Sequence, residues 1–372
     1  MRIAIDLTSL AHNYSGIEHY ALRLTQSLAR IADEHEFVLL FENEVFSELK
    51  DTSELPNVRT FIIHPHFKHK LYVTQRHVTS ALKSIDTDVQ LFPAFPQPLM
   101  LSGVHSISVI HDVSFWDCPE TFTRASRAFW RASAHHARRT STIVTVSEFS
   151  RMRINARLGV PIGEISIVPN GIDASFSEAR TERENTFYDS ILHTYGLPRR
   201  FILSLCTLEP RKNLSQIVKA WVVARELKPS TPDLVLAGRS GWKVKNLLEE
   251  VPASLVGSIH ITGFIDSFDL PHLYHLCERF VCASRYEGFG LPPLEALAAG
   301  APVACSDIPV FHETCEGLVT FFSLNDTMSL ARIITESPHY PTYKQLGELC
   351  NRYSWQNSAQ SMLETIERSV KR

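Results

Sequence analysis

The chain has 372 residues, a formal net charge of −3, and 44% hydrophobic against 21% charged residues. That is room for two domains of α/β size and the composition of an ordinary soluble globular protein, not of a general nucleic-acid binder, which is usually basic. No apolar run approaches membrane-spanning length, and seven cysteines with no Cys-x-x-Cys predict buried free thiols in a reducing cytoplasm.

Arg2-Ile-Ala-Ile-Asp6 predicts a first strand rather than a secretory leader. Its loop ends at Ser15-Gly16, and a helix follows with Tyr20, Leu24 and Leu28 on one face. A strand-to-helix turn is where an α/β sheet places ligands. Gly16 is a candidate there, against the plain reading of a turn that takes one glycine. The absence of G-x-G-x-x-G argues against a dehydrogenase.

Phe37 to Phe41, Val58 to Ile63, Val89 to Phe92, His105 to Ile110 and Ile143 to Val146 read as further short, buried strands. Asp86-Thr-Asp88 precedes a strand, the wrong end for a ligand in a parallel sheet, and reads as a loop pair. His111-Asp112 follows Ile110 at a carboxyl end, where catalytic groups collect. His111 is a candidate, with Asp112 beside it to orient the ring. A surface histidine is the bland alternative in a chain with 17 of them.

Lys68 to Lys83 and Arg124 to Arg139 read as basic amphipathic helices. Each is either a solvated face over a core stripe or a docking face for an anionic membrane or a lipid diphosphate. His64, His66 and His69, and the pair His135-His136, lack cysteines or acids at ligand spacing, so no metal is expected. Ser147 reads as a helix N-cap, and Asn170-Gly171 as a turn.

Residues 174 to 198 shift to polar composition and mark the interdomain link. A second sheet begins at Phe201. Arg211 and Lys212 open the helix carrying Ile217, Val218 and Trp221 and suit a diphosphate. The helix dipole disfavours cations there, which points to a bound anion. Strands around Leu234 and Ile259 each end in glycine, and a helix is expected from Asp266 to Cys277.

Arg279 to Ser284 is a strand, and Pro292 and Pro293 suit the first turn of a helix that Gly300 and Pro302 close. The intervening loop Gly288-Phe289-Gly290-Leu291 is a ready anion site. Glu287 at the strand end and Glu295 in the first helical turn bracket it. A helix cap plus a loop acid is the bland reading of that pair.

This stretch, E-G-F-G-L-P-x-L-E-A-x-A-x-G-x-P-V from Glu287, closely resembles the signature of retaining glycosyltransferases of family GT4. The phrases His111-Asp-Val-Ser-Phe115 and Leu208-Glu-Pro-Arg-Lys-Asn213 are similar to that family too. The resemblance implies an α/β GT-B fold: two Rossmann-like domains facing a central cleft. One would be 1–185 with a returning helix 355–372, the acceptor side; the other would be 186–354, binding the nucleotide sugar. It implies that Glu287 meets donor sugar hydroxyls, Glu295 the ribose, and the backbone from Gly288 to Leu291 the diphosphate. Gly263, Phe264 and Ile265 would line the base, with Arg239 a further candidate. Gly16 would approach the donor phosphate and acceptor, and His111 the donor sugar. Cys206 and Thr207 stand where the family commonly has glycine and often arginine, and Arg211 is expected to supply the guanidinium. His111, Glu287, Arg211 and Lys212 form the expected catalytic set.

The implied reaction is retaining transfer of a hexosyl group from a nucleotide sugar, without metal or other cofactor. The phrases look most like bacterial mannosyl- and rhamnosyltransferases of polysaccharide or O-antigen assembly. GDP-mannose is the first expectation, with dTDP- and UDP-sugars for a rhamnosyl- or glucosyltransferase as alternatives. The acceptor is expected to be a lipid-linked glycan, reached from the cytoplasm at the inner face of the membrane. A GT-B nucleotide-sugar epimerase and a non-catalytic sugar-nucleotide-binding protein are the rivals.

Overall fold

The computed structural model describes all residues except 11–14, 66–72, 100–102, 182–183, 208, 240–246 and 372, with backbone alone at 73–74. The chain forms two units, Met1–Gly171 with Tyr353–Arg372, and Ile172–Arg352.

The first unit holds β1 (Arg2–Asp6), β2 (Glu36–Glu42), β3 (Val58–Ile63), β4 (Val89–Phe92), β5 (His105–Val109), β6 (Ser141–Thr145) and β7 (Ile165–Ile167). They form one parallel sheet ordered β3-β2-β1-β4-β5-β6-β7. Strands covered on both faces read as unbroken apolar runs, and Phe37, Val38, Leu39, Leu40 and Phe41 are all buried. Strand order reverses between β1 and β4, the point where open α/β sheets bind ligands at their carboxyl ends. The helix Gly16–Ile31 buries Tyr20, Leu24 and Leu28 completely.

The tail helix Trp355–Val370 packs on that helix within the same unit. Trp355 lies 5.6 Å from the His19 ring and 6.0 Å from the Tyr20 ring. Gly171 is required by this packing, because a Cβ there would sit 2.4 Å from the Trp355 backbone nitrogen. The basic helix Arg124–Thr140 buries Ser133, Ala134 and Ala137 and leaves Arg124, Arg138 and Arg139 exposed. Of the other basic segment, Lys68, Lys70 and their neighbours through Tyr72 lie outside the described residues, as do His66 and His69.

The second unit holds β8 (Phe201–Leu205), β9 (Asp233–Ala237), β10 (Ile259–Gly263), β11 (Arg279–Cys282), β12 (Val303–Ser306) and β13 (Thr320–Phe322). They form a parallel sheet ordered β10-β9-β8-β11-β12-β13, which reverses between β8 and β11. Ile217, Val218 and Trp221 of the helix Leu214–Leu227 pack over Leu234 and Leu236.

The units divide at 171/172 and 352/353; the boundaries expected from sequence are 185/186 and 354/355. The short helix Ala174–Glu178 explains the earlier division: its buried Phe176 lies 5.9 Å from the Tyr274 ring. The helix expected from Asp266 runs instead from Leu270 to Leu276. The Asp266 carboxylate accepts from the Phe268 N–H at 2.8 Å and turns the chain before the helix starts. All seven cysteines are free thiols, with Cys118, Cys277, Cys305 and Cys315 buried. Among the described residues no helix is long and apolar enough to cross a membrane.

Candidate active site

In the second unit, two loops at the carboxyl ends of β8 and β11 are stitched together. The first is a tight turn, Pro210–Lys212, followed by Asn213 in a left-handed conformation with φ of 54°. Asparagine tolerates that region better than most residues. Asn213 thereby re-aims the chain into the helix Leu214–Leu227, and Arg211 and Lys212 sit before the helix proper. The Arg285 N–H donates to the Arg211 carbonyl at 2.9 Å, and the Arg285 guanidinium donates to the Asn213 side chain at 3.1 Å.

Glu287 lies at the centre of this junction. Lys212 Nζ donates to its Oε1 at 2.5 Å, Ser284 Oγ donates to the same oxygen at 2.6 Å, and Arg211 Nη1 donates to Oε2 at 3.0 Å. Ser284 is itself placed by Ser306, whose hydroxyl donates to the Ser284 carbonyl at 2.6 Å. Burial alone would raise the Glu287 carboxyl. The charges of Lys212 and Arg211, with the hydrogen bonds from Lys212 and Ser284, outweigh it and hold the group at about 2.

Arg211 and Lys212 at the helix start have acid partners within the protein. Glu287 and Glu209 already neutralise them inside the protein. Glu209 Oε1 accepts from Arg211 Nε at 3.1 Å and from Nη2 at 2.8 Å. Neither Glu209 nor Ser284 was singled out from sequence. The signal lay in their spacing, an acid two residues before Arg211 and a hydroxyl three residues before Glu287.

The loop Gly288–Gly290 then enters the helix Leu291–Ala298. Gly290 is required twice over: its φ is +91°, and a Cβ would meet Phe311 Cε1 at 2.4 Å. Phe289 is buried. Leu291 is the first helical residue, so Glu295 falls in the second turn rather than the first, and it does not cap the helix. It is buried, and its Oε2 accepts from the Tyr274 hydroxyl at 3.2 Å. Burial first, and Glu295 second, push that hydroxyl well above its usual range.

Gly263 ends β10 with φ of +75°, and its carbonyl accepts from the Gly238 N–H at 2.8 Å. Phe264 is 47% exposed with the Arg239 guanidinium 5.0 Å over its ring, whereas Ile265 is buried.

The first unit carries a different site. His111 follows β5, and its Nε2 lies 2.9 Å from the Pro93 carbonyl oxygen. A ring nitrogen facing a carbonyl carries the proton, which leaves Nδ1 as the acceptor of the neutral ring. Tyr20 meets the ring edge-on at 4.8 Å. Burial lowers the His111 pKa, opposed in part by the Pro93 bond and by Asp112. Asp112 does not orient the ring: its carboxylate accepts at 2.8 Å from the N–H of Ser114, the first residue of a short helix. The Pro93 carbonyl and Tyr20 hold the ring instead.

Gly16 is the first residue of its helix, and among the described residues a Cβ there would meet nothing within 4 Å. The fold itself does not demand glycine at that position. Asp88 accepts from the Arg2 backbone N–H at 2.7 Å at the amino end of β4. His135 stands edge-on to Trp116 at 5.8 Å. Among the described residues, no three His, Cys, Asp or Glu side chains gather as a metal-ligand set.

Two family models match the chain, "Glycosyltransferase Family 4" over residues 14–176 and "Glycosyl transferases group 1" over residues 195–348. The chain is 26% identical to the O-antigen chain mannosyltransferase B of Escherichia coli, over 96% of this chain and 97% of that protein. It is 28% identical to the serotype-specific mannosyltransferase WbdA of Escherichia coli, over 65% of this chain, a match that spans 30% of WbdA. Among solved structures, Anabaena Alr3699/HepE in complex with UDP and glucose superposes with a TM-score of 0.73 at 17% identity, over 98% of this chain and 99% of that one. That likeness shows the fold, two Rossmann-like domains of GT-B type.

Proposed function

We propose, from the premise that this chain belongs to the group 1, family 4 glycosyltransferases, that it moves a mannosyl group from GDP-mannose onto a lipid-linked glycan during O-antigen assembly. The transfer retains anomeric configuration and needs no metal. The mannosyl and O-antigen parts rest on the names of the relatives at 26% and 28% identity.

The observation that carries the reading is the caged carboxylate of Glu287 between β11 and the helix Leu291–Ala298. A carboxylate held at about 2 takes no proton at neutral pH. Glu287 therefore acts as a fixed hydrogen-bond acceptor for donor sugar hydroxyls, not as a general base. The negative charge that develops on the departing diphosphate is met by Lys212 and by the N-terminus of the helix Leu291–Ala298, as preorganised electrostatic catalysis requires. Transfer on the front face, with a leaving phosphate oxygen taking the acceptor proton, follows from the resemblance. His111 and Gly16 are assigned to donor contact by the resemblance, and Glu295 to the ribose. The exposed arginines of Arg124–Thr140 support an acceptor presented at an anionic membrane surface.

The test is a metal-free assay with EDTA, offering GDP-mannose, UDP-glucose, UDP-N-acetylglucosamine and dTDP-rhamnose separately with a lipid-linked glycan extract. Acceptor-dependent GDP release from GDP-mannose, lost in Glu287→Gln, is the expected result. Release from another donor would overturn the sugar assignment, and a strict metal requirement would overturn the mechanism.

A further inference from the structure

We propose that Glu209 and Arg211 are a positioning pair: Glu209 holds the Arg211 guanidinium so that it orients Glu287, and Lys212 is the cation left for the donor diphosphate. This rests on the donor-binding reading above and assigns roles within that same site.

An arginine has five N–H groups. At least four of those of Arg211 have acceptors inside the protein: Nε and one Nη2 hydrogen go to Glu209 Oε1, and the two Nη1 hydrogens go to the Tyr286 carbonyl at 2.7 Å and to Glu287 Oε2 at 3.0 Å. The planar fork is thus spanned between one carboxylate on its own loop and two acceptors on the neighbouring loop. Its side chain is 18% exposed and that of Lys212 14%, so hydrogen bonding and not burial distinguishes the two cations. The guanidinium so bonded is committed to geometry. To reach a phosphate it would surrender charge-assisted bonds that are among the strong ones.

Lys212 differs. Among the described residues its ammonium donates to Glu287 Oε1, and an ammonium has three N–H groups. It can keep Glu287 and still serve an incoming oxygen. The four side chains Glu209, Arg211, Glu287 and Lys212 sum to zero formal charge. Removal of Glu209 leaves one uncompensated positive charge and releases Nε and one Nη2 hydrogen of Arg211 to turn toward the diphosphate. Glu209 therefore prevents Arg211 from becoming a product clamp as well as setting the direction of Glu287.

This gives opposite signs for two readouts in one variant. In Glu209→Ala, GDP measured by isothermal titration binds tighter, by about threefold to tenfold for one gained charge-assisted contact. The same variant loses about tenfold in kcat on the donor that the native enzyme turns over, the loss expected for one misplaced hydrogen-bonding group. Glu209→Gln, which keeps an accepting oxygen, recovers most of that kcat. Lys212→Ala weakens GDP instead. Arg211→Lys, which cannot span the fork, lowers kcat with the GDP Kd within about twofold. Should Glu209→Ala not fold by circular dichroism, Arg211→Lys against Lys212→Ala carries the test: the first lowers kcat at near-constant GDP Kd, the second weakens GDP.

Glu209→Ala weakening GDP as Lys212→Ala does, or leaving kcat intact, would overturn the pair while leaving the donor-binding reading standing. Native protein that binds neither GDP nor UDP nor TDP would overturn that reading and this one together.

Discussion

The two units each place functional candidates at the carboxyl ends of parallel strands, yet with opposite chemistry. In the second unit the site is ionic: Glu287 is surrounded by Lys212, Arg211 and Ser284 and stays charged although buried. In the first unit it is neutral: His111 rests on a carbonyl and the edge of Tyr20, and burial keeps the ring uncharged. A buried charge survives where cations and donors converge on it, and a buried base without such partners gives up its charge. The same topology therefore supplies a fixed anion in one half and a neutral hydrogen-bonding ring in the other.

The strongest test of that contrast is Glu287→Gln. It removes the anion but keeps the shape, and kcat should fall by roughly a hundredfold or more, the scale of losing one preorganised electrostatic contact. GDP affinity should hold or rise, because Lys212 loses its partner. Equal activity would show that the ionic cage is merely structural.

Gly290→Ala is expected to cost about 2–4 kcal/mol, combining a left-handed backbone with a clash against Phe311. Chemical denaturation would measure it, and a cost under about 1 kcal/mol would show that the loop relaxes. His111→Gln retains a donor for Pro93 and should lower kcat by about tenfold, with donor KM little changed.

Acid titration separates the two sites by sign and window. The folded Glu287 value of about 2 lies below its ordinary 4.5. Its contribution is present above about 4.5 and is lost as pH falls toward 2, amounting to ~3 kcal/mol. His111 is lowered from 6.5, so the unfolded chain takes the proton first and stability is lost as pH falls below about 6.5. Melting temperatures against pH should lose their slope just below 6.5 in His111→Gln, and below 4.5 in Glu287→Gln. Reversed windows would break the contrast. The smallest effect is expected at Gly16→Ala, within about 0.5 kcal/mol in stability, because no described residue lies within 4 Å of the added methyl. An activity loss there without a stability loss would locate a ligand.

Much of the architecture was legible in the chain itself. Val89–Phe92 and Phe201–Leu205 have the bounds that their mainly apolar runs suggested, because strands inside a parallel sheet are covered on both faces; Val58–Ile63 has its expected bounds too, although as the edge strand it exposes Arg59, Thr60 and Ile62. Tyr20, Leu24 and Leu28 fall on one buried face because 3.6 residues make a turn. The strand, glycine loop and proline-led helix around Glu287 were equally local, set by where proline and glycine are tolerated. The start of that helix was set by Gly290, whose backbone leaves the helical region one residue before Leu291 and carries Glu295 into the second turn.

Tertiary structure alone decided who partners whom. Glu209 and Glu287 converge on Arg211 from loops 78 residues apart, Pro93 and not Asp112 sets the His111 ring, and Tyr274 claims Glu295. Hydrogen bonds and ion pairs act over about 3 Å in space and carry no memory of separation along the chain. Periodicity and turn chemistry, which are local, write the strands and helices into the sequence; the charge state of a buried side chain is written by neighbours that only folding brings within reach.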